Sequence, residues 1–259
     1  MIAPAHNEQD NLRPLVQQIV AVLDPLPVDY EIVIVNDGST DRTGRLLREL
    51  GSEYPRLRAI AMTQTPPGRG NGQSAAFYAG FRAAQGDLFI LLDADLQNDP
   101  ADIPAMLDRL VDTGADMIQG DRSQARRDTR IKRLSSIVGR LFRRWLLADT
   151  IRDTGCSLRV LRRDYALQLP LQFRGMHRFI PVTVRQLGGT VIEMPVRHRP
   201  RVAGATKYGI WNRAIPGLID CFAVRWMRNR RRPVGSVPIA AVPDPEPQMS
   251  NLDPVEAVK

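Results

Sequence analysis

The chain has only two cysteines, Cys156 and Cys221, and three histidines, His6, His177 and His198, far apart along the sequence. Two isolated cysteines exclude a disulfide framework or a cysteine-built zinc site, and they fit a reducing compartment. Scattered histidines form no metal cluster, and lone histidines are most often structural. No apolar run approaches the ~18 residues that a membrane span requires. The opening MIAPAHNE lacks the pattern of a secretory leader. Neither a GxxxxGK[ST] loop nor a GxGxxG after a strand occurs, so the usual backbone cradles for phosphate are missing. No internal repeat is found.

Negative charge is also in short supply. The formal net charge of the 259 residues is +8. From Pro233 onward four acids (Asp244, Glu246, Asp253, Glu256) meet one base (Lys259), a segment three charges negative, so the body before it carries +11. So basic a body expects an anionic partner: nucleic acid, phosphorylated small molecules or an anionic membrane surface. A nucleic-acid module is disfavoured, because the bases are not interleaved with exposed aromatics in a recognisable motif, and the acidic clusters described below would repel phosphate unless a metal intervened. Prolines at 233, 238, 243, 245, 247 and 254, with no periodic apolar face, mark 233–259 as a disordered acidic tail behind a folded body of 1–232. The 43% hydrophobic content suffices for a proper core.

The first half alternates strand and helix. Only Met1, Ile2 and Ala3 precede Pro4, short for a buried strand, so a truncated first strand is expected. A helix near 11–23 carries Leu12, Leu15, Val16, Ile19, Val20 and Leu23 on one face. YEIVIVNDGST (30–40) reads as a strand ending at Asp37-Gly38 before a second helix, and LRAIAMT (57–63) as a third strand. The Pro/Gly-rich QTPPGRGNG (64–72) leads into a helix at 73–85. Another strand near 89–92, a helix near 101–112 and a strand at 115–122 follow. Such β-α-β repetition implies an α/β fold, a mainly parallel sheet flanked by helices. Beyond lie an Arg-rich helical segment (123–147), a turn and strand at 153–164, a strand at 188–200 and a helix at 210–229.

One stretch, FILLDADLQNDP (89–100), carries an apolar run that stops at two aspartates. Burying a carboxylate alone is costly, so Asp93 and Asp95 belong where a central strand leaves the core. In open α/β sheets ligands bind beyond such strand ends, where His6-Asn7-Glu8 and Asn36-Asp37-Gly38 also fall. Asp93 and Asp95, two residues apart in an extended segment, can face one cation. Mg2+ or Mn2+ held by one or two carboxylates plus substrate phosphates is the usual arrangement for so thin a ligand set, and the metal neutralises charge on a departing diphosphate.

IAPAHNE, IVNDGSTD and DADLQNDP, in this order, resemble glycosyltransferase family 2. Downstream, GDR, DTGCSLR, HRFIP and RPRVAGATKYG are similar to the polyprenyl-phosphate glycosyltransferases related to dolichyl-phosphate mannose synthase. The likeness covers about 1–230. It implies a nucleotide-diphospho-sugar transferase (GT-A type) Rossmann-like fold over 1–232, and inverting transfer of a sugar from a nucleotide-sugar to an undecaprenyl or dolichyl phosphate at the cytoplasmic face of a membrane. By the same resemblance, Pro4, Asn7, Glu8 and Asp37 hold the nucleobase and ribose. Asp93 and Asp95 form the DXD pair with Asp95 nearer the metal, and Gln97 lies near the sugar-phosphate. Arg122, Arg133, Ser136, Arg201 and Lys207 meet donor and acceptor phosphates. Asp153 stands beside the acceptor as a positioning group, since an acceptor phosphate is already an anion and needs no strong base. The chain departs from the family at GRGNGQSAA, where Gly70 and Asn71 intrude after Arg69. A soluble or polysaccharide acceptor is the alternative within the family.

A lipid acceptor requires a route to the membrane. Ile131, Leu134, Ile137, Val138, Leu141, Phe142, Trp145 and Leu146 recur at helical spacing, flanked by Arg130, Lys132, Arg133, Arg140, Arg143 and Arg144. This pattern suits a helix lying in a bilayer interface, reinforced by charge at 225–232. The same stripe could instead pack on the sheet. Trp211 and Trp226 read as core or interface. If the helix packs inward, a membrane-protein partner supplies lipid access; a homo-oligomer is also compatible with the sequence.

Overall fold

A computed structural model describes residues 1–66, 68–123, 130–200 and 211–232, with the side chains of 130–138 and 211–215 left aside. Arg201, Lys207 and the acidic tail therefore lie outside the described residues, as do the side chains of Arg133 and Ser136 on the Arg-rich helix.

Seven strands form one sheet: β1 (Ile2–Ala5), β2 (Ile32–Asn36), β3 (Leu57–Ala61), β4 (Leu88–Leu91), β5 (Met117–Asp121), β6 (Arg159–Arg162) and β7 (Val191–Pro195), in the order β3-β2-β1-β4-β6-β5-β7. β1, β2 and β3 pair in parallel, as do β1 with β4 and β5 with β7. Of the seven, β6 alone runs antiparallel, between β4 and β5. The apolar, β-branched IVIV of β2 is buried on both faces, as a central parallel strand must be.

Helices α1 (Leu12–Leu23), α2 (Thr43–Glu53) and α4 (Ile103–Thr113) accompany one core; α3 (Gln73–Ala83), α5 (Arg130–Leu147), α6 (Arg163–Ala166), α7 (Ile180–Gln186) and α8 (Trp211–Arg230) accompany the other. α1 buries Leu12, Leu15, Val16, Ile19 and Leu23, the 3.6-residue stripe its sequence displays. On the opposite face Gly80 of α3 lies so close to Ile2 and Val35 that a Cβ there would strike the Ile2 side chain. Among the described residues no helix is long and apolar enough to cross a membrane.

The Arg-rich stripe of α5 divides in a way its periodicity does not show. Leu146 and Leu147 are buried in the second core with Phe142 packed partly against it, whereas Leu141 and Trp145 face outward. Arg143 pairs with the fully buried Asp149 carboxylate at 3.1 Å, so it holds the fold together rather than facing lipid. Arg225 and Arg228 of α8 donate to the Leu146 and Leu147 carbonyls at 3.0 and 3.5 Å, which places cations on the carbonyl end of α5, where the helix dipole favours them. Trp226, expected in a core or an interface, is not in the core: it is 62% exposed.

Candidate active site

The site exists because β6 is reversed. Parallel strands β1, β2, β4 and β5 deliver the residues at their carboxyl ends to one edge of the sheet, the usual place for a ligand in an open α/β fold. An antiparallel strand delivers the residues before its start to that same edge. Arg159 at the head of β6 stands opposite Leu91 on one side and Gln119 on the other. The loop of 153–158 is thereby carried beside Asp93 and Asp95, and Asp153 meets Arg122, which directly follows β5.

At the end of β4, Asp95 is 8% exposed and its Oδ1 accepts from the Gln97 N–H at 3.2 Å. Asp93 accepts from the Gln73 amide in the first turn of α3, and a Ser157 hydrogen bond also favours its charged form. Burial, then the Asp95 carboxylate, pushes Asp93 up to about 6. A carboxylate whose ionisation is opposed by burial and by a neighbouring carboxylate marks a site deficient in positive charge. Among the described residues no group of three or more His, Cys, Asp or Glu side chains could hold a metal ion by itself. The pair therefore fits a hard cation that takes its remaining ligands from a diphosphate and water.

The expected nucleotide-binding residues are brought together, and they brace one another. Asn7, in the left-handed region at φ 59°, accepts through Oδ1 from the Thr40 N–H at 2.7 Å, while its own N–H donates to Ser39 Oγ at 3.0 Å. The Glu8 N–H donates to Thr43 Oγ1 at 2.9 Å, and its carboxylate accepts from Asn11 at 2.6 Å. Pro4 lies within β1, opposite Val35. The buried Asp37 accepts from the Asn71 and Gly72 N–H groups at 2.9 and 2.7 Å. A side chain at Gly70 would collide with that carboxylate. The Gly70-Asn71 departure is thus what lets the loop before α3 wrap onto Asp37. Arg69 lies outside these bonds.

Where β5 ends, Arg122 and Asp153 form a bidentate ion pair, Nε to Oδ2 at 2.8 Å and Nη2 to Oδ1 at 3.2 Å, with side chains 11% and 8% exposed. Asp153 also accepts from the N–H groups of Arg122 and Gly155 at 3.2 and 3.1 Å. These bonds hold the Asp153 carboxylate against Arg122 and the turn that follows it. Burial opposes the charge on Arg122, but the hydrogen bonds and charge of Asp153 outweigh it and raise its pKa. Gln97 lies against the segment after β7: its carbonyl accepts from the Arg199 N–H at 2.8 Å, and Arg199 pairs with Asp99 at 2.6 Å.

Arg159 escaped the sequence reading. It is 2% exposed and donates to Gln119 Oε1 (2.8 Å), the His177 carbonyl (2.9 Å) and the Thr154 carbonyl (2.8 Å). His177 in turn bonds Ser74 of α3, ring Nδ1 to Oγ at 2.8 Å and N–H to Oγ at 3.0 Å. One guanidinium therefore joins the Asp153–Thr154 turn to the helix whose Gln73 holds Asp93. Burial lowers Arg159 to about 10, which leaves it charged at neutral pH. Its signal was a cation inside the apolar run SLRVL, two residues from Leu161, which packs into the core. Arg159→Met should strand two buried oxygen acceptors, Gln119 Oε1 and the Thr154 carbonyl, and the part-buried His177 carbonyl, at about 1 kcal/mol each. A fall in Tm of about 6–12 °C is expected, measured by thermal unfolding, with Arg159→Lys recovering part of it. An unchanged Tm for Arg159→Met would contradict the bracing role. Cys156, buried nearby, has its thiol pushed up to about 11 by burial, which disfavours the thiolate.

This sheet order is that of the GT-A glycosyltransferase fold. Residues 1–169 match the model of glycosyl transferase family 2, and the chain belongs to that family. It is 36% identical over 211 residues to the undecaprenyl-phosphate 4-deoxy-4-formamido-L-arabinose transferase of Edwardsiella ictaluri (strain 93-146), covering 81% of this chain and 62% of that protein. To the dodecaprenyl-phosphate galacturonate synthase of Rhizobium johnstonii it is 33% identical over 237 residues, covering 90% and 68%. The chain thus spans less than two thirds of the first relative's length and slightly more than two thirds of the second's. Glucosyl-3-phosphoglycerate synthase from Mycobacterium tuberculosis, solved with Mn2+, UDP and glucosyl-3-phosphoglycerate, shares the fold at a TM-score of 0.63 and 20% identity, over 85% of this chain and 78% of that one.

Proposed function

We propose that this chain transfers a sugar from a nucleotide-sugar to a polyprenyl phosphate, with inversion at the anomeric carbon. The observation that carries the reading is the meeting, at one sheet edge, of the Asp93/Asp95 pair with an Asp153 already neutralised by Arg122. The two relatives' names share a prenyl phosphate and differ in the sugar, so the reading commits to the acceptor class.

Asp93 and Asp95 would hold Mg2+ or Mn2+, which when bound supplies positive charge to the departing diphosphate. Gln73 and the Gln97 N–H fix the two carboxylates in orientation. Asn7, Glu8 and Asp37 give the nucleotide end of the cleft its shape by tying three loops together. An acceptor phosphate, with a second pKa near 6, attacks as an anion, so no side chain has to remove a proton. The locked Asp153 is consistent with that requirement, and it positions Arg122 at the end of β5. Arg133, Ser136, Arg201 and Lys207 remain proposed phosphate contacts from the resemblance alone.

The test is a thermal-shift series with nucleoside diphosphates, with and without Mn2+, followed by transfer assays on undecaprenyl phosphate. Binding at 100 times Kd adds about 2.7 kcal/mol of stability, a rise of roughly 5–10 °C at this size. The rise should require metal and diphosphate together. Equal stabilisation in excess chelator, or transfer only to soluble acceptors, would refute the reading.

A further inference from the structure

The outward face shared by α5 and α8 has no covering element among the described residues. Leu141 and Trp145 lie one turn apart on α5, exposed by 59% and 75%. On α8, Ile219, Phe222 and Trp226 follow at helical spacing, exposed by 62%, 55% and 62%. The two stripes are continuous, because the Phe142 and Phe222 rings meet edge-on at 5.9 Å and the Phe142 and Trp145 rings lie 6.0 Å apart. Large apolar side chains gathered on one surface mark an interaction site. The inner sides of the same helices are packed: Leu146, Leu147, Cys221 and Val224 are buried. With Arg225 and Arg228 clamped onto the end of α5, the pair forms a fixed platform.

Charge decides what covers it. Over 139–147 and 216–232 there are eight arginines and one acid, Asp220. A second copy of the chain docked on this face would bring two such arginine clusters together, and like charges juxtaposed at an interface are strongly disfavoured. An anionic lipid surface has the complementary charge. It also suits the chemistry of the patch, since tryptophan settles where apolar chains meet water and arginines beside an apolar stripe reach for headgroups. We infer that the α5–α8 face is a docking surface for an anionic bilayer, with Trp145 and Trp226 as its anchors and Arg140 and Arg144 beside them. The inference rests on the proposed lipid acceptor only for its biological sense; the docking itself requires neither donor nor metal.

The full chain is tested by sedimentation with vesicles of phosphatidylcholine alone or mixed with phosphatidylglycerol, in excess chelator and without nucleotide. Binding is expected to the mixed vesicles, weakening as salt rises, with a blue shift of tryptophan emission. Trp145→Ser with Trp226→Ser should lower vesicle affinity at least about tenfold. Arg140→Glu with Arg144→Glu should abolish the preference for phosphatidylglycerol. Since these four residues lie on the helix surfaces, unfolding curves and the nucleotide-induced Tm shift should stay at wild-type values, which separates loss of docking from loss of fold. Equal affinity for both vesicle types, or variants that bind like the wild type, would overturn the inference. Self-association in solution that the tryptophan variants abolish, without vesicle binding, would assign the face to a second copy. Vesicle binding without transfer to undecaprenyl phosphate would defeat the proposed reaction and leave the docking surface standing.

Discussion

Asp95→Asn should lose at least about a thousandfold in transfer rate, the scale on which preorganised charge stabilisation acts, while its unfolding midpoint in chelator stays at the wild-type value or rises. Asp95 leaves β4 at the rim of the core, and the amide oxygen of asparagine can still accept from the Gln97 N–H, so the loop is not disturbed. What disappears is one of two negative charges. Asp93→Asn should also fall severely, with an added signature. The folded-state value of Asp93, about 6, lies above that of an exposed carboxylate. Its contribution to stability is therefore present at low pH, below the unfolded value of about 4, and is lost as pH rises through about 6. In chelator at about pH 8 the Asp93→Asn variant should melt higher than the wild type, and the gap should close as the pH is lowered to about 4. Because a cation competes with the proton, Mn2+ affinity of the wild type should weaken below pH ~6. Transfer assays and Mn2+ titrations followed by thermal shift check both. Undiminished transfer by Asp95→Asn would sink the metal-site assignment.

Arg122→Ala should produce a large loss of stability. It leaves the Asp153 carboxylate, only 8% exposed, without its cation. Removing one partner of a buried pair costs about 3–5 kcal/mol, because the other charge remains uncompensated. A Tm lower by roughly 10 °C is expected. Adding Asp153→Asn to that variant should restore part of the loss, since the orphaned charge goes while the oxygen that accepts from Gly155 stays. Arg122→Lys keeps the charge but not the planar fork, and should fall between. Thermal unfolding of the wild type, the two single variants and the double variant gives the coupling directly. If Arg122→Ala lost transfer with its Tm intact, Arg122 would be a direct phosphate contact rather than the brace of the 153–158 loop.

The elements of this protein were legible because their signals are local. An apolar, β-branched run such as IVIV suits a strand buried on both faces, and the spacing of Leu12, Leu15, Val16, Ile19 and Leu23 suits one face of a helix. Acids that end such runs must leave the core where the strands do, so residue order alone places Asn7, Asp37, Asp93 and Asp95 at one edge. Their family-like order did the rest.

What the sequence could not carry is which element lies beside which, and in which direction. Nothing in RVLR as a strand states that β6 is reversed, yet that reversal alone brings Asp153 to Arg122, 31 residues away, and puts Arg159 between Gln119 and the Thr154 carbonyl. The same limit governed α5. Periodicity marks an apolar stripe without telling a packed side from an open one, because that depends on where α8 sits. Only the packing of the two helices turned Leu146 inward, left Trp145 and Trp226 outside, and engaged Arg225 and Arg228 in holding the pair together. Residue type and spacing fix the neighbours a side chain has within its own element; contacts across the sheet are fixed by strand order, and strand order is a property of the whole chain.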